Sequence, residues 1–131
     1  MGLNVDQVAF IQSFAKPDPR PIPGFVTDFC GAKVRTEYLG PWGEGLDGTL
    51  RESPILRSYY GEVGEWYGTF MAVAAATDSF SVMELGAGYG PWLGVAGISA
   101  INRGIKNLYL CGVEGDPVRA SWMKSTWRTM A

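Results

Sequence analysis

At 131 residues the chain is long enough for one domain with a real core, and 47% hydrophobic against 18% charged residues marks it as globular rather than disordered. A net charge of −2 gives no support for a nucleic-acid surface, and no apolar run approaches the roughly 20 residues of a membrane span. Histidine is absent and cysteine occurs twice, which removes the commonest general base, a disulfide framework and zinc-type spacing.

The N-terminus lacks the basic start and apolar core of a signal peptide, and Asp6 stands where a myristoylation pattern needs Ser or Thr. A cytoplasmic location is the expectation. Val5, Val8, Ala9, Ile11 and Phe14 recur at helical spacing and predict a short amphipathic helix. Prolines at 17, 19, 21 and 23 then force an extended linker. Residues Phe25 to Leu39 alternate in the manner of a β-hairpin, with Cys30-Gly31-Ala32 at the turn. The glycine-rich stretch from Gly40 to Gly48 reads as loop, either a plain surface connection or, with Trp42 in it, a lid over a later site.

Ser53-Pro54 has the form of an N-cap followed by proline at the first helical position, which suggests a short helix through Tyr60. From Glu62 to Ala76 the apolar residues Val63, Trp66, Phe70 and Val73 settle into a helical pattern. Tyr59, Tyr60, Trp66 and Tyr67 form an aromatic patch, read first as packing and second as a ligand wall. Thr77-Asp78-Ser79 is a turn. Phe80–Leu85 is nearly all apolar, as a strand buried on both faces would be. A small-residue-rich helix from Trp92 to Arg103 follows, with Gly104 suited to the left-handed position past its end. Asn107–Val113 reads as a second, parallel strand, in which Cys111 is expected as a buried thiol. Asp116-Pro117 caps and opens a last helix through about Thr129.

The stretch from Ser81 to Gly90 carries the chemistry. A strand runs into glycines at 86, 88 and 90, and Pro91-Trp92 opens the next helix. Glycines there let the backbone bend sharply and let a ligand approach it. The helix N-terminus behind them offers unpaired N–H groups to a carboxylate or phosphate. Glu114 directly follows the second strand, at roughly the 20-residue spacing from which a carboxylate accepts hydrogen bonds from a ribose diol. The dinucleotide fingerprint G-x-G-x-x-G would need glycine where this chain has Pro91. Glu84, two residues before the first glycine, also faces phosphates poorly and suits a ligand with an ammonium group. S-adenosylmethionine has an ammonium, a carboxylate and a ribose and no phosphate, and it matches this set better than NAD.

Glu84-Leu85-Gly86-Ala87-Gly88-Tyr89-Gly90 resembles the first motif of class I S-adenosylmethionine-dependent methyltransferases, and Gly112-Val113-Glu114-Gly115-Asp116-Pro117 resembles the end of strand two in the FkbM-type family. The resemblance covers about residues 62–130. It implies a truncated Rossmann-like methyltransferase fold, α/β in class, with a parallel β-α-β core preceded by an N-terminal helix and β-hairpin. Residues 1–60 would form the N-terminal part and 61–131 the first half of an S-adenosylmethionine-binding domain.

By that likeness Glu84, Gly86, Ala87, Gly88, Tyr89 and Gly90 would hold the methionine part of the cofactor. Glu114 would hold the ribose, and Asp116 would approach the adenine edge or serve as a plain N-cap. No residue is assignable as a catalytic base. The implied reaction is methyl transfer to an oxygen of a small molecule or sugar, largely a matter of positioning. No nucleic acid, membrane or metal is expected as a partner. With later strands missing, open sheet edges and apolar faces suggest a homo-oligomer. The rival reading is a catalytically inactive nucleoside-binding or oligomerisation module.

Overall fold

The computed structural model describes residues 4–52 and 62–129. Helix α1, Val5–Gln12, opens on a capping box: Asn4 Oδ1 accepts the Gln7 N–H at 2.9 Å, and Gln7 Oε1 accepts the Asn4 N–H at 3.0 Å. After the proline linker, β1 (Phe25–Asp28) pairs antiparallel with β2 (Lys33–Arg35), Val26 opposite Val34. The expected hairpin is therefore present but shorter. The chain leaves the sheet at Thr36, whose Oγ1 lies 2.9 Å from Asp47 Oδ1, and Asp47 Oδ1 also accepts the Gly24 N–H at 2.8 Å. This knot turns residues Thr36–Gly43 into 3-10 turns instead of strand, broken at Gly40 (φ 54°, ψ −135°). A third strand, β3 (Thr49–Arg51), pairs parallel to β1 and was not expected from the sequence.

The predicted helix from Ser53 to Tyr60 lies outside the described residues. Helix α2 spans Glu62–Ala75. Strand β4 (Ser79–Leu85), helix α3 (Pro91–Asn102) and strand β5 (Asn107–Val113) form a parallel β-α-β unit, with Ser79 opposite Asn107 and Leu85 opposite Val113. Helix α4, Pro117–Arg128, follows. Gly104 takes the left-handed conformation past α3 (φ 82°), as its position predicts.

The core forms around α3, whose residues from Leu93 to Ala100 are buried without a break. Small side chains on a helix let neighbours approach closely, and α3 contacts α2, α4, β4 and β5. The main cluster joins Ile11 and Phe14 of the N-terminal segment to Phe29, Trp66, Phe70, Phe80, Val95 and Ala96. Phe14 stacks on Phe70 at 4.2 Å between centroids, and Trp66 packs edge-on against Trp92. Trp66 of the aromatic patch is thus a core residue; Tyr59 and Tyr60 lie outside the described residues.

Two expectations are corrected here. Strand β4 is buried on one face only: Phe80 is in the core, whereas Met83 is 61% and Leu85 74% exposed. Beside them on β5, Tyr109 is 66% exposed. Phe80 and Val82 face the cluster that α2 and α3 build, and no described residue buries the opposite face. The cysteines also exchange roles. Cys111 is half-buried, while Cys30, placed in a turn by its sequence, is fully buried, and burial pushes its thiol up to about 12. Asn102 Nδ2 donates to the Cys30 carbonyl at 3.0 Å and so ties the hairpin turn to the end of α3. Among the described residues no helix is long and apolar enough to cross a membrane.

Candidate functional site

The glycine turn sits at the carboxyl end of β4, beside the end of β5. Gly86, Gly88 and Gly90 all have positive φ (67°, 56° and 76°), a conformation that side chains with a Cβ resist. Two of them face open space: a Cβ at Gly86 or Gly88 would meet nothing within 4 Å. Gly90 is different. It is buried against Met123 of α4 and serves as the N-cap of α3, with Pro91 at the first helical position. The turn is therefore open where a ligand would lie and closed where it joins the helix. Ala87 is buried, and its N–H donates to the Val113 carbonyl at 3.0 Å, which clamps the turn to the end of β5.

Glu114 supplies the second clamp. Its Oε2 accepts the Gly88 N–H at 2.6 Å, and its Oε1 accepts the Asp116 N–H at 2.8 Å. These amides, Asp116 first and Gly88 next, hold the carboxyl below the usual carboxylate range. Asp116 itself turns the other way: Oδ1 accepts the N–H groups of Val118 and Arg119 at 2.8 and 3.2 Å. Its observed role is the N-cap of α4.

Glu84 lies on the inner side of β4. Its Oε2 accepts the Leu93 N–H at 3.1 Å, and the Trp92 amide also points at it. Burial raises its pKa, and these amides only partly offset that. The N–H groups expected to stand unpaired at the start of α3 are accordingly engaged by a carboxylate. A carboxylate at this helix end offsets the partial positive charge that the helix N-terminus would otherwise present.

The strands fix these positions. Glu84 is opposite Gly112 in the β4–β5 register. A Cβ on Gly112 would overlap the sulfur and methyl of Met123. Met123 thereby reaches both Gly112 and Gly90 and packs with Leu93 and Ala87 in a small second cluster. Met123 does not stand out in the sequence, and Gly112 does so only within the strand-end motif; a close approach between strand and helix gives the two their packing role.

The 3-10 segment Thr36–Gly43 lies alongside the turn. Tyr38 stacks on Trp122 of α4 (4.8 Å, 13°) and tilts toward Tyr89 at 6.2 Å. Glu37, Trp42, Gly88 and Arg119 complete a groove of about 490 Å³. The glycine-rich loop suspected as a lid is thus brought next to the glycine turn, with Trp42 86% exposed at the groove's rim. Tyr38, Arg119 and Trp122 were not singled out from sequence; their residue types carry no motif, and non-local packing assembles them. Among the described residues no group of three or more His, Cys, Asp or Glu could hold a metal ion.

The site is thus an open glycine turn between a strand and a helix of an α/β unit, clamped by an acid from the neighbouring parallel strand. Over 104 residues, 79% of its length, the chain is 33% identical to a protein of Jannaschia sp. (strain CCS1) named "Putative methyltransferase". The matched part amounts to 37% of that relative, so the chain spans little more than a third of its length. No protein-family model matches the chain, and no solved structure matches it.

Proposed function

We propose that this chain is the cofactor-binding part of a class I S-adenosylmethionine-dependent methyltransferase of the FkbM type, with a Rossmann-like core. The whole protein transfers a methyl group to an oxygen of a small molecule or sugar. The observation that carries this reading is the convergence of Glu114 and the open backbone of Gly86 and Gly88 on one edge. The similarity to a methyltransferase-named relative supports the same class.

Glu114 has lone pairs beyond those engaged by Gly88 and Asp116, and these accept the two ribose hydroxyls. The turn from Gly86 to Gly90 gives the methionine portion a surface without side chains. Glu84 sets the sign of charge beneath the turn and favours a ligand with an ammonium over one with phosphates. The cofactor supplies an electrophilic methyl group on a sulfonium. The protein's share is to hold that group in line with an acceptor oxygen and to keep it oriented. The second copy expected of an open sheet is part of the proposal: the exposed face of Met83, Leu85 and Tyr109 is apolar and suits self-association.

The test is thermal denaturation with S-adenosylhomocysteine or NADH at matched concentrations. A ligand at about 100 times its Kd stabilises by roughly 2.7 kcal/mol. S-adenosylhomocysteine should raise the melting temperature and NADH should not. A rise with NADH alone would assign the site to a dinucleotide.

A further inference from the structure

Beside the glycine turn, the groove under the 3-10 segment has the composition of a ligand site in its own right. Its volume, about 490 Å³, falls in the roughly 300–1,000 Å³ range of small-molecule pockets. Its walls are largely aromatic, and its charged groups are Glu37 and Arg119. It shares Gly88 and Tyr89 with the turn, so a molecule held there lies next to whatever the turn holds.

The loop that forms one wall is shaped rather than slack. Gly40 bends it at φ 54°, and a Cβ at Gly43 would come within 2.6 Å of the Thr36 carbonyl oxygen. The Thr36–Asp47–Gly24 hydrogen bonds close its base. That framework leaves the indole of Trp42 86% exposed at the rim, an apolar surface left in water by a segment otherwise tied down.

The geometry of the rings selects the ligand class. Tyr38 and Trp122 stack on each other at 4.8 Å and 13°, which leaves no slot between them for a flat base. Trp42, exposed at the rim, offers an aromatic platform, and the same groove carries a carboxylate that accepts hydrogen bonds and a guanidinium that donates a fork of them. A flat heterocycle gains most between two faces. A saturated ring with one apolar C–H face and hydroxyls round its edge gains from one face and a polar rim. We infer that the groove binds a pyranose ring, as the sugar acceptor of the reaction, with Trp42 as its platform and Glu37 and Arg119 as its hydroxyl partners.

This inference rests on the methyltransferase reading for the word acceptor, but the binding site stands apart from it. The test is saturation-transfer NMR of the whole chain with a panel of methyl glycosides (gluco, galacto, manno and fuco), with adenine as the flat control. Each is run on the wild type, Trp42→Ala and Glu37→Gln, with S-adenosylhomocysteine titrated in parallel. Trp42 is exposed, so its removal leaves the fold intact.

At least one glycoside should give transfer to its C–H face, and Trp42→Ala should weaken it by about tenfold or more. S-adenosylhomocysteine affinity should be unchanged in both variants. Glycoside binding lost in Trp42→Ala, in a protein that ignores S-adenosylhomocysteine, would uphold the sugar site and remove the methyltransferase reading. No transfer to any glycoside, transfer insensitive to Trp42→Ala, or adenine competing for the groove would overturn the inference.

Discussion

The carboxylate of Glu114 accepts the N–H of Gly88 across 2.6 Å, joining the end of one parallel strand to the middle of the turn that follows the other. A backbone with no side chain and positive φ is expensive to hold in one shape. Here a charge-assisted hydrogen bond holds it, and the acid that would grip a ribose is the one that does so. On the proposed reading, binding and order in the turn are coupled through Glu114. Glu114→Ala should speed hydrogen exchange at the Gly88 amide, with the amides of β4 unchanged. Protection at Gly88 that survives the substitution would show that the turn is held by other means.

Acid should loosen the same joint. The Glu114 carboxyl titrates below its ordinary value because of the Asp116 and Gly88 amides. A depressed carboxyl contributes stability above its unfolded pKa and loses it as pH falls through the folded one. Glu84 has the opposite sign, since burial raises its pKa. Its charged form disfavours folding as pH rises through that raised value, and protonation relieves this. Glu84→Gln should therefore keep or raise the melting temperature at pH 7, flatten the dependence on pH above the usual carboxylate range, and weaken S-adenosylhomocysteine binding. Thermal melts from pH 4 to 8 check the first two, and a marked loss of stability at pH 7 would contradict them.

Strand β5 and helix α4 meet through Gly112 and Met123, where no Cβ fits. Gly112→Ala should destabilise by about 1–3 kcal/mol in urea denaturation, despite alanine's better strand propensity. Met123→Ala alone should cost about 2–5 kcal/mol as a cavity. The double variant should cost less than the sum, because each change relieves the defect of the other. Strict additivity would mean that the two residues do not press on each other.

The exposed row of Met83, Leu85 and Tyr109 should drive self-association. Sedimentation at tens of micromolar should show a dimer or larger species, shifted to monomer by Leu85→Lys with Tyr109→Lys. A monomeric wild type under these conditions would remove the homo-oligomer from the proposal.

Much of this arrangement follows from local rules. The N-cap and proline at Asp116-Pro117, the left-handed Gly104 and the glycine turn each depend on a few consecutive residues, and each stands where the sequence places it. Strand β5 falls on Asn107–Val113, as its apolar run predicts. What escaped were features made by distant partners. Strand β3 is three residues directly after a glycine-rich loop and exists because β1 has an edge to offer. The segment from Thr36 alternates like a strand but is pulled away by Asp47. An apolar run such as Phe80–Leu85 states what a strand could bury and leaves open what is present to bury it, so Leu85 remains exposed. Glu84 and Glu114 were identifiable as acids near a turn, but the amides that occupy them were not.

The most direct measurement is calorimetric titration of S-adenosylhomocysteine into the wild type and Glu114→Ala. The account predicts saturable heat with the wild type and an affinity about 10- to 100-fold lower in the variant, the range expected for hydrogen bonds to a charged group. Equal affinities, or no heat from a wild type shown to be folded, would contradict the central claim that Glu114 and the glycine turn form one cofactor site.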